Sequence, residues 1–231
     1  MRRVLHIVSV TLITAGIVIA TDVAMTLLWK EPLSTVYGSI KQGQAADSLA
    51  ALEKEFPSSA DLRAVHGSAN VEERVAGLAD LFAGQVQTGQ GIGRIEIPSI
   101  DLSIVVVQGT DTASLQKGPG HYPDTAFPGQ GKTIGIAGHR TTYLAPFRRI
   151  NEIADGDTIT LEMPYGTFTY EVQEHRIVDP SDVEIVDDVG YERLVLTACH
   201  PLYSAAQRWA VFAKLVDTSL FAADDRLWQD P

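Results

Sequence analysis

The chain has 231 residues, a formal net charge of -11 and a single cysteine. One cysteine excludes a disulfide framework and a metal site caged by several thiolates, and 45% hydrophobic residues exclude wholesale disorder. From Gly91 onward 20 Asp and Glu outnumber 11 Lys and Arg, a balance that argues against nucleic acid as a partner.

The first element is apolar. Between Val4 and Trp29 only His6 and Asp22 titrate, and a helix over this stretch would be about 36 Å long, enough to cross a bilayer. Asp22 falls near the end of the span, where the interface hydrates it, and Trp29 with Lys30 suits the outer interface. Arg2 and Arg3 ahead of the span favour a cytoplasmic N-terminus, which exports the remaining chain. A leader cleaved after Val18-Ile19-Ala20 is the competing reading. The retained anchor is preferred because the apolar run is longer than a leader core and continues past Asp22. Residues 1–30 are therefore read as a cytoplasmic stub and a single transmembrane anchor, with the rest at the outer face of the cell membrane.

Residues 31–90 are read as a helical juxtamembrane spacer. Ser48–Lys54 and Val71–Phe82 carry apolar residues at helical spacing. Pro57-Ser58-Ser59 breaks the run, and Asp61 is a candidate helix cap just after the break. The Gly-, Gln- and Thr-rich stretch from Gly84 to Gly93 marks a boundary.

Beyond Gly91 short β-rich runs recur: Arg94–Ile97, Ile104–Val107, Thr133–Ala137, Thr158–Leu161, Thr167–Val172, Leu194–Thr197 and Trp209–Val216. Turn signals such as Ala154-Asp155-Gly156-Asp157 and Pro164-Tyr165-Gly166 separate them. Helical patches interrupt the pattern near Thr112–Gln116 and Leu144–Asn151. The texture predicts an all-β barrel or sandwich over residues 91–218, with a tail at 219–231.

The lone thiol is the first place to look for chemistry. Cys199 ends an apolar strand, Pro201 stops further pairing two residues on, and Arg208 opens the next strand. A strand–loop–strand turn can thus return a guanidinium to the sulfur. A buried inert cysteine is the bland alternative. A thiolate attacking an amide also needs a proton carrier and a partner for the developing oxyanion. Of the six histidines, His6 lies in the apolar segment, His66 in the spacer and His175 inside a strand. His200 adjoins Cys199 and so points to the opposite face, and His121 sits in a turn. His139 comes just after a strand, through Gly138, and is the best acid/base candidate.

Three stretches carry a resemblance. Gly118-Pro119-Gly120-His121-Tyr122-Pro123, Ala137-Gly138-His139-Arg140 and Leu196-Thr197-Ala198-Cys199 with Arg208 together resemble the sortase family of Gram-positive bacteria, over roughly Gly91 to Val216. The resemblance implies an eight-stranded sortase-type β-barrel and a cysteine transpeptidase that cuts a sorting signal at a Thr–Gly bond. By it Cys199 would be the nucleophile, His139 the acid/base, and Arg208 the holder of substrate and oxyanion. The family's Thr-Leu-x-Thr-Cys reads Val195-Leu196-Thr197-Ala198-Cys199 here, so the hydroxyl before the cysteine is missing while Thr197 remains.

His121-Tyr122-Pro123 is similar to the class E sortases of actinobacteria, whose preferred signal is Leu-Ala-x-Thr-Gly rather than Leu-Pro-x-Thr-Gly. Tyr122, Thr197 and Ala198 are the expected substrate-binding positions, with wall packing as the other reading of Tyr122. The expected partners are surface proteins bearing such signals and an amine on lipid II or another peptidoglycan precursor. No cofactor or metal is expected, and the acidic run Asp179, Asp182, Glu184, Asp187, Asp188 lacks a calcium-ligand spacing. The rivals are a class D sortase, with a different signal, and a non-catalytic cell-surface domain. A peptidoglycan-peptide transpeptidase is disfavoured because Ser-x-Gly-Cys-Arg is absent around Cys199.

Overall fold

The computed structural model describes residues 2–28 and 32–220. Trp29 and Lys30, and the tail from Phe221 on, lie outside the described residues. Helix α1 (Arg2–Leu28) is long and apolar enough to cross a membrane, and none of its apolar window is buried against the rest of the chain. Three more helices come next: α2 (Pro32–Glu55), α3 (Ser59–Val65) and α4 (Val71–Ala83). The cap of α3 is Ser58 rather than Asp61. The Ser58 hydroxyl accepts the Asp61 N–H, and the Asp61 carboxylate accepts the Ser58 N–H at 2.8 Å, a reciprocal capping box. Asn70 caps α4 by accepting the Glu73 N–H at 2.8 Å.

Eight strands then close a barrel among the described residues: β1 (Gly91–Ile97), β2 (Leu102–Gln108), β3 (Gly120–His121), β4 (Thr133–Gly138), β5 (Thr158–Met163), β6 (Gly166–Val178), β7 (Arg193–His200) and β8 (Gln207–Leu220). Their order around the barrel is β1-β2-β3-β4-β7-β8-β6-β5. Closure leaves no long free strand edge. A short helix α5 (Thr112–Leu115), capped by Asp111, lies between β2 and β3. Seven strands fall on the β-rich runs of the sequence. The eighth, β3, has two residues and is too short to show alternation. The expected helical patch at 144–151 is instead a chain of turns ending in a 3-10 turn at Ile150–Glu152. Tyr143, Leu144 and Ala145 have φ of 48°, 68° and 44°, the left-handed region, which no right-handed helix can include.

Inward-facing residues alternate along the strands. Ile134 and Ile136 of β4, Leu194, Leu196 and Ala198 of β7, and Val211 and Ala213 of β8 all join the main core. The helices between α1 and β1 pack on this barrel. Ala45 and Leu49 of α2 bury Val105 and Val107 of β2. The Gln42 side chain accepts the Val105 N–H at 2.8 Å and donates to the Lys117 carbonyl at 2.5 Å, tying α2 to the strand edge. Phe56 and Phe82 enter the core against Tyr165, with ring centroids 5.2 Å apart from each other.

Because Phe82 is fully buried and touches Phe56, Phe127 and Tyr165, Phe82→Ala is expected to destabilise the fold by about 3–5 kcal/mol. Urea unfolding, monitored by far-UV and near-UV circular dichroism, is expected to show helices and barrel lost in one shifted transition. Two separated transitions would mean the helices do not share the barrel's core.

Candidate active site

Two pairings decide where the chemistry sits. β4 and β7 run parallel, with Gly138 level with Ala198, so both strands end at the same rim. β7 and β8 run antiparallel, with Cys199 directly opposite Arg208. His139 comes after Gly138 and Cys199 after Ala198, so the imidazole and the thiol leave adjacent strands at the same level. The two faces of β7 are distinct. Leu194, Leu196 and Ala198 fill the barrel, while Val195 packs outside it with Ala210 and Phe212 of β8. Alternation puts Thr197 and Cys199 on that outer face, and Arg208 on the same face of β8. Val178 at the end of β6 and Ile185 and Val186 from the β6–β7 connection pack against this outer cluster. Cys199 is half-buried, neither sealed in the core nor fully open.

The left-handed turns after His139 hold its surroundings. The Tyr143 ring lies 5.2 Å from the His139 ring, and the Phe147 N–H donates to the His139 carbonyl at 3.0 Å. Tyr143 is in turn fixed from elsewhere. Its N–H donates to Ser34 Oγ on α2 at 3.4 Å, and its hydroxyl accepts from Gln116 at 3.3 Å. Burial pushes the His139 imidazole below the ordinary histidine range, which favours the neutral ring at neutral pH. Arg208 is half-buried and donates to the Ala205 and Gln207 carbonyls at 3.0 and 2.9 Å.

Tyr122, Thr197 and Ala198 take different places. The Tyr122 hydroxyl and Thr197 Oγ1 are 2.8 Å apart, joining the turn after β3 to the outer face of β7. The Tyr122 ring lies on Gly135 of β4, where a Cβ would come within 2.5 Å of it, so a glycine is required beneath the ring. Ala198 belongs to the core, with its side chain toward the barrel interior. One residue of the site escapes sequence reasoning. Arg140 is 6% exposed, and its Nη1 lies 3.3 Å from both the Cys199 carbonyl and His200 Nδ1, while Nη2 bonds Asn151. Its place next to His139 is the available signal, but nothing in the sequence says that it turns inward.

Two other histidines serve the scaffold. His121 is buried, with Nδ1 2.9 Å from Gln108 and Nε2 2.8 Å from the Ala126 carbonyl. His175 lies within β6, its Nε2 2.6 Å from the Ile153 carbonyl. In the acidic loop Asp179 accepts from Ser181 and Asp182 accepts the Asp179 N–H, so these carboxylates fold their own turn. Among the described residues, no three His, Cys, Asp or Glu side chains cluster as metal ligands.

A family model for the sortase domain matches residues 95–216, from within β1 to within β8. The chain belongs to the sortase family. It is 40% identical over 134 residues to Sortase D of Bacillus subtilis, a match covering 56% of this chain and 66% of that protein. It is 30% identical over 175 residues to Sortase SrtE1 of Streptomyces coelicolor, covering 66% of this chain and 50% of that one. The chain thus spans less than two thirds of these curated relatives. Among solved structures it resembles sortase E1 of Streptomyces coelicolor, crystallised with a tripeptide in its active site, with a TM-score of 0.55 at 30% identity over 58% of this chain and 93% of that one. Sortase E of Streptomyces avermitilis gives a TM-score of 0.54 at 32% identity, over 62% of this chain and 99% of that one. In this sortase the family match spans the barrel and leaves α1 to α4 outside it.

Burial pushes His121 down to about 4. Well above pH 6.5 the ring is neutral whether folded or not, and it contributes no pH dependence. As pH falls toward 4 the unfolded chain binds the proton first, so the fold loses up to about 3 kcal/mol. Buried Glu192, whose carboxyl is raised by burial, acts in the opposite direction. The expected result is therefore a difference: His121→Gln loses less stability than the parent protein between pH 7 and pH 5 in paired urea titrations. Parallel slopes would show that His121 carries its proton in the folded state.

Proposed function

We propose that this chain is a membrane-anchored cysteine transpeptidase that cuts a Leu-Ala-x-Thr-Gly-like sorting signal between threonine and glycine. The acyl group then passes to an amine on a peptidoglycan precursor. The observation that carries this reading is the shared rim: Cys199 opposite Arg208 in one pairing, and level with the end of β4 that leads to His139 in the other. The Cys199 thiolate attacks the threonine carbonyl carbon. Protonated His139 gives its proton to the departing glycine amine as the C–N bond breaks, leaving a thioester. The incoming amine attacks that thioester, loses a proton to His139 and releases the thiolate. Because burial disfavours the His139 cation, the protonated ring is a strong acid toward the leaving amine. Arg208 supplies positive charge beside the tetrahedral oxygen, where losing one donor costs about 2.7–4 kcal/mol.

Tyr122 and Thr197 border the signal from the outer face, and Ala198 contributes backbone alone. The exposed apolar side chains of α1 support a single-pass anchor. Arg2 and Arg3 support a cytoplasmic start and an extracellular barrel. A class D preference is the second reading, favoured by the higher identity to the Bacillus Sortase D.

Mass spectrometry of the protein incubated with Leu-Ala-x-Thr-Gly and Leu-Pro-x-Thr-Gly peptides is expected to show an acyl-enzyme with the first in excess. Cys199→Ala is expected to give none, and Arg208→Ala to lower kcat/KM by about 100-fold or more while leaving the melting temperature near that of the parent. Glycine-fragment release by Cys199→Ala would overturn the nucleophile, and no adduct with either peptide would favour a non-catalytic surface domain. Separately, Tyr122→Phe is expected to reduce the Leu-Ala over Leu-Pro ratio of kcat/KM. An unchanged ratio would leave Tyr122 as wall packing.

A further inference from the structure

Arg140 is a buried cation with neutral hydrogen-bond partners. Its guanidinium reaches the Cys199 carbonyl, His200 Nδ1 and the Asn151 side chain, and its buried Nε has no hydrogen-bond partner. Among the described residues no carboxylate forms an ion pair with it. An arginine nitrogen only donates, so His200 Nδ1 accepts here. Placing a charge in the interior without a counter-charge is unfavourable, and apolar packing would stabilise the fold better. The arrangement makes sense if the negative charge arrives during the reaction. Arg140 holds the carbonyl of Cys199, and the group on that residue able to carry a negative charge is its thiol.

We propose that Arg140 is a positioning residue for the transpeptidation: it clamps the end of β7 through the Cys199 carbonyl and supplies the fixed positive charge beside which the Cys199 thiolate forms. This rests on the reading of Cys199 as nucleophile. The surroundings fit the role. Cys199 is faced by Arg208 from β8 and by the end of β4 that leads to His139, with Arg140 and His200 at the rim. Burial pushes Arg140 below the ordinary guanidinium range and Arg148 adds to the effect, while Cys199 is the group that opposes them. Arg208 differs, since its bonds go to carbonyls of its own turn rather than to the nucleophile's strand end. Arg140 is thus tied to the sulfur's backbone, and Arg208 remains for the substrate.

The test is the pH dependence of Cys199 alkylation by iodoacetamide in the full chain, which needs no sorting peptide. Arg140→Gln removes the charge and keeps a donor. Asn151→Asp keeps the shape and gives the guanidinium a competing carboxylate. Both are expected to move the alkylation midpoint up by about one pH unit, slowing alkylation about tenfold at pH values below both midpoints. Near-UV circular dichroism identifies the variants that retain the parent fold, and should Arg140→Gln lose it, Asn151→Asp decides. A midpoint equal to the parent's in a folded variant overturns the proposal. If the midpoint moves while no peptide is cleaved by the parent protein, the function reading fails and the charge pairing stands.

Discussion

The parallel pairing of β4 with β7 is the constraint that shapes the whole site. Parallel neighbours end at the same side of a sheet, so a residue just past β4 and a residue at the end of β7 must meet at one rim. Antiparallel neighbours place the end of one strand beside the start of the next, which brings Arg208 of β8 back to Cys199. Backbone pairing thus sets Cys199 opposite Arg208 and level with the end of the strand that leads to His139. Strand-borne groups are held more firmly than loop-borne ones, and only His139 stands one residue beyond its strand.

That position is stiffened from outside the barrel. Three consecutive left-handed residues, Tyr143 to Ala145, carry backbone strain that persists only where the surroundings enforce it. Here α2 supplies part of the enforcement, through Ser34 and through the contact of the Tyr37 and Tyr143 rings at 6.2 Å. Gly38 of α2 lets the helix approach, since a Cβ there would sit 3.0 Å from the Tyr143 carbonyl carbon. The helix that follows α1 therefore touches the loop beside the acid/base candidate, and its packing ties that loop to the helical part of the chain ahead of the barrel.

Much of this is legible in the residues, and the misses have physical causes. Seven strands show as short β-branched runs between turns, and Cys199, His139 and Arg208 stand out because chemistry needs those groups at strand ends. β3 escapes because two residues hold no period, and the turns at 144–151 imitate a helix because left-handed backbone leaves no mark in apolar spacing. Asp61 lies three residues past the true cap of α3, since Ser58 and Asp61 cap reciprocally and either alone looks sufficient. Arg140 is easily passed over because a charged residue is expected to face water, and only its contacts reveal that it faces inward.

Local and compositional features are set by the residues themselves: the apolar span, the change from helical to β texture near Gly91, the single thiol and the motifs around it. Which strands pair, and in which direction, is settled only when the barrel closes. Closure also binds α2 and α4 to the barrel, and it turns Ala198 inward while Thr197 and Cys199 turn outward. The reason is that pairing direction and facing depend on contacts between residues far apart in the chain, and those contacts are selected by the closed barrel as a whole rather than by any single stretch.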